Sequence, residues 1–148
     1  MASKGFYRNS SGYYDPTAGA AMSQVMKEYK QARREQWQKD TEVKSRPKAY
    51  VVSQYAGDVK GNTLAAINCC RHLIRQKKIP IASHLLYPRM LKDDSQEERY
   101  LGTMFGLALL ALCEEVWVFT RDGVVSEGMK TEIAEAKRLK KPTRYQEI

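Results

Sequence analysis

The sequence predicts an α/β fold: a Rossmann-like parallel sheet of about four or five strands, flanked by helices, with an extra helix at the N-terminus. Three observations predict it. From Lys48 onward short β-rich runs alternate with stretches of helical periodicity, and repeated βα units imply parallel strands with helices on both faces. The chain has 148 residues, the size of a single ordinary domain. Hydrophobic residues make up 43% and charged residues 28%, which supports a packed core and argues against wholesale disorder.

The elements follow in order. Residues 1–14 hold glycines, serines and four aromatics (Phe6, Tyr7, Tyr13, Tyr14) and read as irregular. Asp15-Pro16 reads as a helix start, because Asp caps free N–H groups and Pro is tolerated at the first helical position. Ala18, Met22, Val25, Tyr29 and Ala32 then recur at helical spacing among lysines and arginines, so an amphipathic helix is expected over about 16–40. Its apolar stripe calls for a cover, and association with a second copy through residues 16–40 is the expected one. The polar stretch Thr41–Arg46 and Pro47 separate this helix from the rest. The division is therefore 1–47 for tail and helix, and 48–148 for the α/β domain.

Within that domain Ala49–Ser53 is the first strand, and Asn62 is the expected cap of a helix carrying Leu64, Ile67, Cys70 and Ile74. Ile79–Ala82 is a second strand whose Pro80 suggests its start or an edge. A loop and a helix over about Gln96–Leu112 follow. Val116–Thr120 is the clearest strand in the chain. A helix over about Gly128–Lys140 stops at Pro142, and Thr143–Tyr145 forms a last short strand.

Composition narrows the function. No apolar run is long enough to span a membrane, and Met1–Ser11 lacks the apolar segment of a secretory signal. Three cysteines, two of them adjacent, show no CxxC or Cys/His spacing. That pattern suits a reducing, cytoplasmic setting and offers no structural zinc site. The net charge is +8, with 10 basic and 5 acidic side chains in residues 1–48 against 15 and 12 in the remainder. A basic N-terminal helix suits nucleic acid or another anion, or simply a solvated face. No base-reading motif accompanies it.

Ligands of parallel sheets bind beyond the carboxyl ends of the strands. That rule selects three loops. The first, Ser53–Asn62, contains Gln54, Tyr55, Gly57 and Asp58 and leads into a helix N-terminus suited to a phosphate or a ribose hydroxyl. It is neither GxGxxG nor a P-loop, and glycine after a strand equally serves a plain turn. The second, Ser83–Asp94, offers His84 and Arg89. The histidine has a ligand-contacting and a purely structural reading, and the arginine fits a phosphate or pairs with Asp93 or Asp94. The third, Thr120–Gly128, ends in Ser126-Glu127-Gly128-Met129. Glu132 follows one turn into its helix. A carboxylate there can attack or stabilise an anomeric carbon, or merely complement the helix dipole.

The pattern Ser126-Glu127-Gly128-Met129-x-x-Glu132-Ile133-x-x-Ala136, closing with Lys141-Pro142 and preceded by the strand Glu115-Val116-Trp117-Val118, resembles the nucleoside 2-deoxyribosyltransferase-like superfamily. It is most similar to a small bacterial and phage branch with SEGM and EI in this place. The resemblance covers about Ala49–Pro142. It implies a Rossmann-like sheet, an oligomer, and cleavage or exchange of N-glycosidic bonds without a metal or organic cofactor. It also implies Glu132 as nucleophile, Ser126 as a 5′-phosphate contact, and Ser53–Asn62 as the sugar or phosphate loop. The resemblance is incomplete. Active relatives often carry an Asp on the helix before the third strand, whereas Thr103–Leu112 has no ionisable side chain.

The expected function is therefore binding of a nucleoside or nucleotide, with N-glycosidic cleavage (hydrolase) or transfer (transferase). Glu132 and His84 are the expected catalytic pair, His84 or an acidic loop residue (Asp58, Asp94) supplying the proton. Ser53, Gln54, Tyr55, Gly57, Asp58, Asn62, Arg89, Ser126, Gly128 and Met129 are the expected binding residues. A non-catalytic nucleotide sensor or sequestering protein is the alternative, and a nucleic-acid-associated structural protein is the third reading.

Overall fold

The computed structural model describes residues 8, 10–13 and 15–148. Phe6, Tyr7 and Tyr14 lie outside them. The chain forms two compact units, residues 1–45 and residues 46–148.

The first unit is dominated by helix α1, Pro16–Lys44. Asp15 starts it: its Oδ1 accepts from the Thr17 and Ala18 N–H groups at 3.0 Å each. Helix α1 runs four residues past the expected end at about 40. Thr41–Lys44 contains no helix breaker, the Thr41 hydroxyl donates to the Trp37 carbonyl at 2.7 Å, and the turn closes at Ser45 just before Pro47. Pairs four apart, such as Gln24 with Glu28 and Gln36 with Asp40, add local support. No residue of α1 is buried. The stripe of Met22, Val25, Met26, Tyr29 and Trp37 is exposed.

The second unit is the α/β domain. Its elements are β1 (Lys48–Val52), α2 (Val59–Arg75), β2 (Ile79–Ile81), α3 (Gln96–Ala111), β3 (Glu115–Thr120), α4 (Glu127–Arg138) and β4 (Thr143–Glu147). Two short 3-10 turns, Ser83–Leu85 and Tyr87–Arg89, lie between β2 and α3. All strand pairs are parallel, in the order β2-β1-β3-β4. Pro80 therefore sits in an edge strand, where its missing N–H is tolerated.

Strand alternation divides the core in two. Ala49, Val51, Trp117 and Phe119 point to one face and pack with Cys69 and Leu73 of α2. Tyr50, Val52, Val116 and Val118 point to the other and pack with Leu110 of α3 and Met129, Ile133 and Ala136 of α4. Both faces of β1 and β3 are thus covered, which is why they read as continuous apolar runs. Trp117 is braced at its edges. Its Nε1 donates to Glu115 Oε1 at 2.8 Å, Glu115 pairs with Lys78 at 2.7 Å, and Arg144 lies over the ring.

One expected cap is corrected. Asp58, not Asn62, starts α2, its carboxylate accepting from the Gly61 N–H at 3.1 Å. Gly57, at φ +96°, makes the preceding turn, a conformation that favours glycine. Asn62 lies inside the first turn, and its amide donates to the Tyr55 and Ala56 carbonyls at 3.1 Å each. Its side chain closes the loop rather than opening the helix.

Candidate active site

Strands β1 and β3 are neighbours, but the chain leaves β1 in one direction, to β2, and crosses back to reach β3. Such a reversal opens a crevice at the carboxyl ends of the strands. A cavity of about 330 Å³ lies there, lined from all three strand ends: Ser53 and Tyr55 after β1, Ser83 and His84 after β2, and Ser126, Gly128, Met129 and Glu132 after β3.

Glu132 is anchored by a short relay. The Tyr50 hydroxyl donates to Glu132 Oε1 at 2.6 Å and lies 2.8 Å from Ser83 Oγ. Tyr50 has one proton, and it goes to the carboxylate, so Ser83 donates to Tyr50. Tyr50 is fully buried. Burial first, then the Glu132 charge, hold its phenol far above the ordinary tyrosine range, so it remains a donor. Burial pushes the Glu132 carboxyl up to about 7, although the Tyr50 hydrogen bond favours its charged form. The backbone of α3 passes close by at Gly106, where a Cβ would stand 3.0 Å from Ser83 Oγ and 3.1 Å from the Tyr50 hydroxyl. Glycine at this position leaves the two hydroxyls room to meet.

A second polar pair lines the same cleft. Ser53 Oγ lies 3.0 Å from His84 Nε2, and the Tyr55 ring leans on the imidazole with centroids 6.0 Å apart. Burial lowers His84 to about 4, so the imidazole is neutral at neutral pH and holds one N–H and one acceptor. Ser126 caps α4, its Oγ accepting from the Met129 N–H at 3.4 Å. Its own proton is left to donate elsewhere, beside free backbone N–H groups at a helix N-terminus. A Cβ on Gly128 would meet nothing within 4 Å, so the backbone there is open to a ligand.

The cleft does not gather every residue expected of it. Gln54, Gly57, Asp58, Asn62 and Arg89 are not among its lining. Asp58 and Asn62 are occupied as cap and loop clasp, and the Gln54 amide donates to the Ala56 carbonyl at 3.4 Å. Arg89 is exposed on the second 3-10 turn. Asp94 is absent from the lining, whereas Asp93 and Glu98 contribute to it. Lys92, Arg99 and Thr103 complete this wall. The Arg99 guanidinium donates to the Asp93 carbonyl at 2.7 and 3.2 Å, and Tyr55 donates to Asp93 Oδ2 at 3.3 Å. These bonds tie the loop after β2 to α3 and to the loop after β1. Tyr50 and Ser83 were missed by sequence reasoning. The available signal was a phenol in the middle of an apolar strand, whose hydroxyl needs a partner once buried.

Residues 47–146 match the model of a family described as a domain of unknown function, DUF7768. The chain belongs to this family. Among curated proteins none matches the DUF7768 chain. Among solved structures it is similar to a 2-deoxyribosyltransferase from the psychrotolerant bacterium Bacillus psychrosaccharolyticus. The two are 15% identical, with a TM-score of 0.55, over 68% of this chain and 72% of that one. That likeness shows a shared fold. Among the described residues of the DUF7768 chain, no helix is long and apolar enough to cross a membrane. Nor does any group of three or more His, Cys, Asp or Glu side chains converge as a metal site.

Proposed function

We propose that the DUF7768 domain binds a nucleoside or nucleotide and cleaves or transfers its N-glycosidic bond, with Glu132 as the nucleophile. The observation that carries this reading is the half-buried Glu132 carboxylate, held at 2.6 Å by Tyr50 on the wall of a cavity at the strand ends. The fold it shares with a 2-deoxyribosyltransferase supports the substrate class.

Tyr50 occupies Oε1 and leaves Oε2 to attack the anomeric carbon. The new C–O bond forms as the C–N bond breaks, and the base departs with the bonding electrons and gains a proton. Water or a second base then attacks the same carbon and frees Glu132, giving hydrolysis or transfer. His84, neutral at neutral pH, acts in this scheme as a hydrogen-bonding partner of Ser53 and of the ligand. The proton for the leaving base comes from solvent admitted to the cleft. Ser126 and the N-terminus of α4 suit a 5′-phosphate.

The test is incubation of the full chain with nucleosides and their 5′-monophosphates, followed by chromatography for free base. Base release is expected. Glu132→Gln should lower it at least about 10³-fold while ligand affinity stays within about tenfold. Turnover near the wild-type rate in that variant refutes the assignment. Binding without any base release supports instead a nucleotide sensor, a reading favoured by the lack of an ionisable side chain from Thr103 to Leu112.

A further inference from the structure

We propose that Ser83 is a positioning residue for Glu132: acting through Tyr50, it holds the carboxylate in its charged, attacking form, and Gly106 is the gap in α3 that lets it do so. This rests on the reading of Glu132 as nucleophile. Three separate segments converge on one point. Tyr50 comes from the middle of β1, Ser83 from the turn after β2, and Gly106 from the interior of α3. The Ser83 hydroxyl reaches a phenol 33 positions away, at 2.8 Å, rather than a carbonyl of its own turn. Glycine inside a helix is less stable than alanine. At position 106, however, a Cβ would stand 3.0 Å from Ser83 Oγ and 3.1 Å from the Tyr50 hydroxyl, and would press on both.

Ser83 gives its proton to the Tyr50 oxygen, and Tyr50 gives its own to Glu132 Oε1. Hydrogen bonds in such a chain polarise one another. A phenol that accepts from Ser83 is a stronger donor to the carboxylate, so Ser83 favours the charged form of Glu132 without touching it. Burial acts the other way and brings the carboxyl to about 7. The relay therefore governs how much of Glu132 is charged near neutral pH. The surroundings leave this path uncontested. His84 on the same turn is neutral, and the Cys113 thiol after α3 is pushed up to about 11. Helix α3 brings no ionisable side chain between Thr103 and Leu112. Glu127 of α4, and Lys92, Asp93, Glu98 and Arg99 on the far wall, line the cleft. Among the described residues, only Tyr50 bonds to the Glu132 side chain.

The test is carbon-13 NMR titration of the full chain labelled at the glutamate carboxyls, with Glu132→Gln identifying the signal. The amide spectrum of each variant reports that its fold is kept. Ser83→Ala should raise the Glu132 midpoint by at least about 0.5 pH unit. Gly106→Ala removes no polar atom, yet should raise it too by parting the two hydroxyls. In a Tyr50→Phe background Ser83→Ala should add less than about 0.2 unit, because the path is already cut. In the base-release assay Ser83→Ala should lower kcat/KM about threefold at pH 6 and little at pH 9, since only charged Glu132 attacks. An unmoved midpoint in Ser83→Ala overturns the proposal, as does an equal shift with and without Tyr50. A wild-type midpoint in Gly106→Ala overturns the role of that glycine. Absence of base release in the wild type refutes the nucleophile reading alone, and the titration still decides whether Ser83 governs the carboxylate.

Discussion

Helix α1 and the helices of the α/β unit have equally explicit local signals and opposite tertiary fates. Asp15 caps α1 through two N–H groups, just as Ser126 caps α4 through one. Helix α1 is the longest in the chain at 29 residues, but none of them is buried. Helix α4 has 12 residues and buries Met129, Ile133 and Ala136 against β1 and β3. Capping and i,i+4 pairs suffice to make a helix, each contributing tenths of a kcal/mol to about 1 kcal/mol. They do not give it a place. Place comes from an apolar face matched to a surface, worth about 25 cal/mol per Å².

The contrast predicts a graded set of effects. The largest belongs to the core. Leu73→Ala opens a cavity between α2 and the sheet, where Leu73 is fully buried, and should destabilise residues 46–148 by about 2–5 kcal/mol in urea unfolding. A loss under about 1 kcal/mol would mean that α2 packs no more firmly than α1.

The next effect lies in the site and depends on pH. Glu132 is raised from 4.5 to about 7, so the folded state keeps a proton that the unfolded state has released. Its contribution makes stability fall as pH rises from about 4.5 to 7. His84 is lowered from 6.5 to about 4. The unfolded state there takes a proton that the folded state refuses, and stability falls as pH drops from about 6.5 to 4. The two slopes oppose each other between about pH 4.5 and 6.5. Glu132→Gln removes one of them. The difference in stability between variant and wild type should therefore grow with pH and level off above 7, favouring the variant by on the order of 1–3 kcal/mol. A difference that does not change with pH would show that Glu132 is solvated like a surface carboxylate.

The smallest effect belongs to α1. Asp15→Ala should cost the helix about 0.5–2 kcal/mol, seen as faster amide exchange at Thr17 and Ala18. The unfolding midpoint of residues 46–148 should not move. If it does, the two units unfold together rather than independently.

The limits of sequence reading follow the same division. The strand and helix order was legible because periodicity and caps are local. The end of α1 slipped because no local signal marks it, and the start of α2 slipped because two local signals compete. Asp58 and Asn62 are both good caps, and the turn at Gly57 decides between them. At the site, the loops were legible from the rule that strand ends carry ligands, and one cleft holds Ser53, Tyr55, His84, Ser126, Gly128, Met129 and Glu132. Which loop side chains turn inward was not legible. Asp93 lines the cleft and Asp94 does not, although they are adjacent and chemically identical.

By itself the sequence determined the alternation of elements, the parallel sheet and the placing of Glu132 one turn into a helix that follows a strand, since each element is written in a local pattern and the order of the elements implies the sheet. Only the tertiary structure decided that Tyr50 reaches Glu132 across 82 positions of sequence and Ser83 across 33. It also decided that Gly106 makes space for those hydroxyls, and that Glu132 and His84 lose water and shift in opposite directions. A hydrogen bond or a desolvation penalty depends on which atoms and how much solvent lie within a few ångströms. For residues far apart in the chain, only folding brings those atoms together.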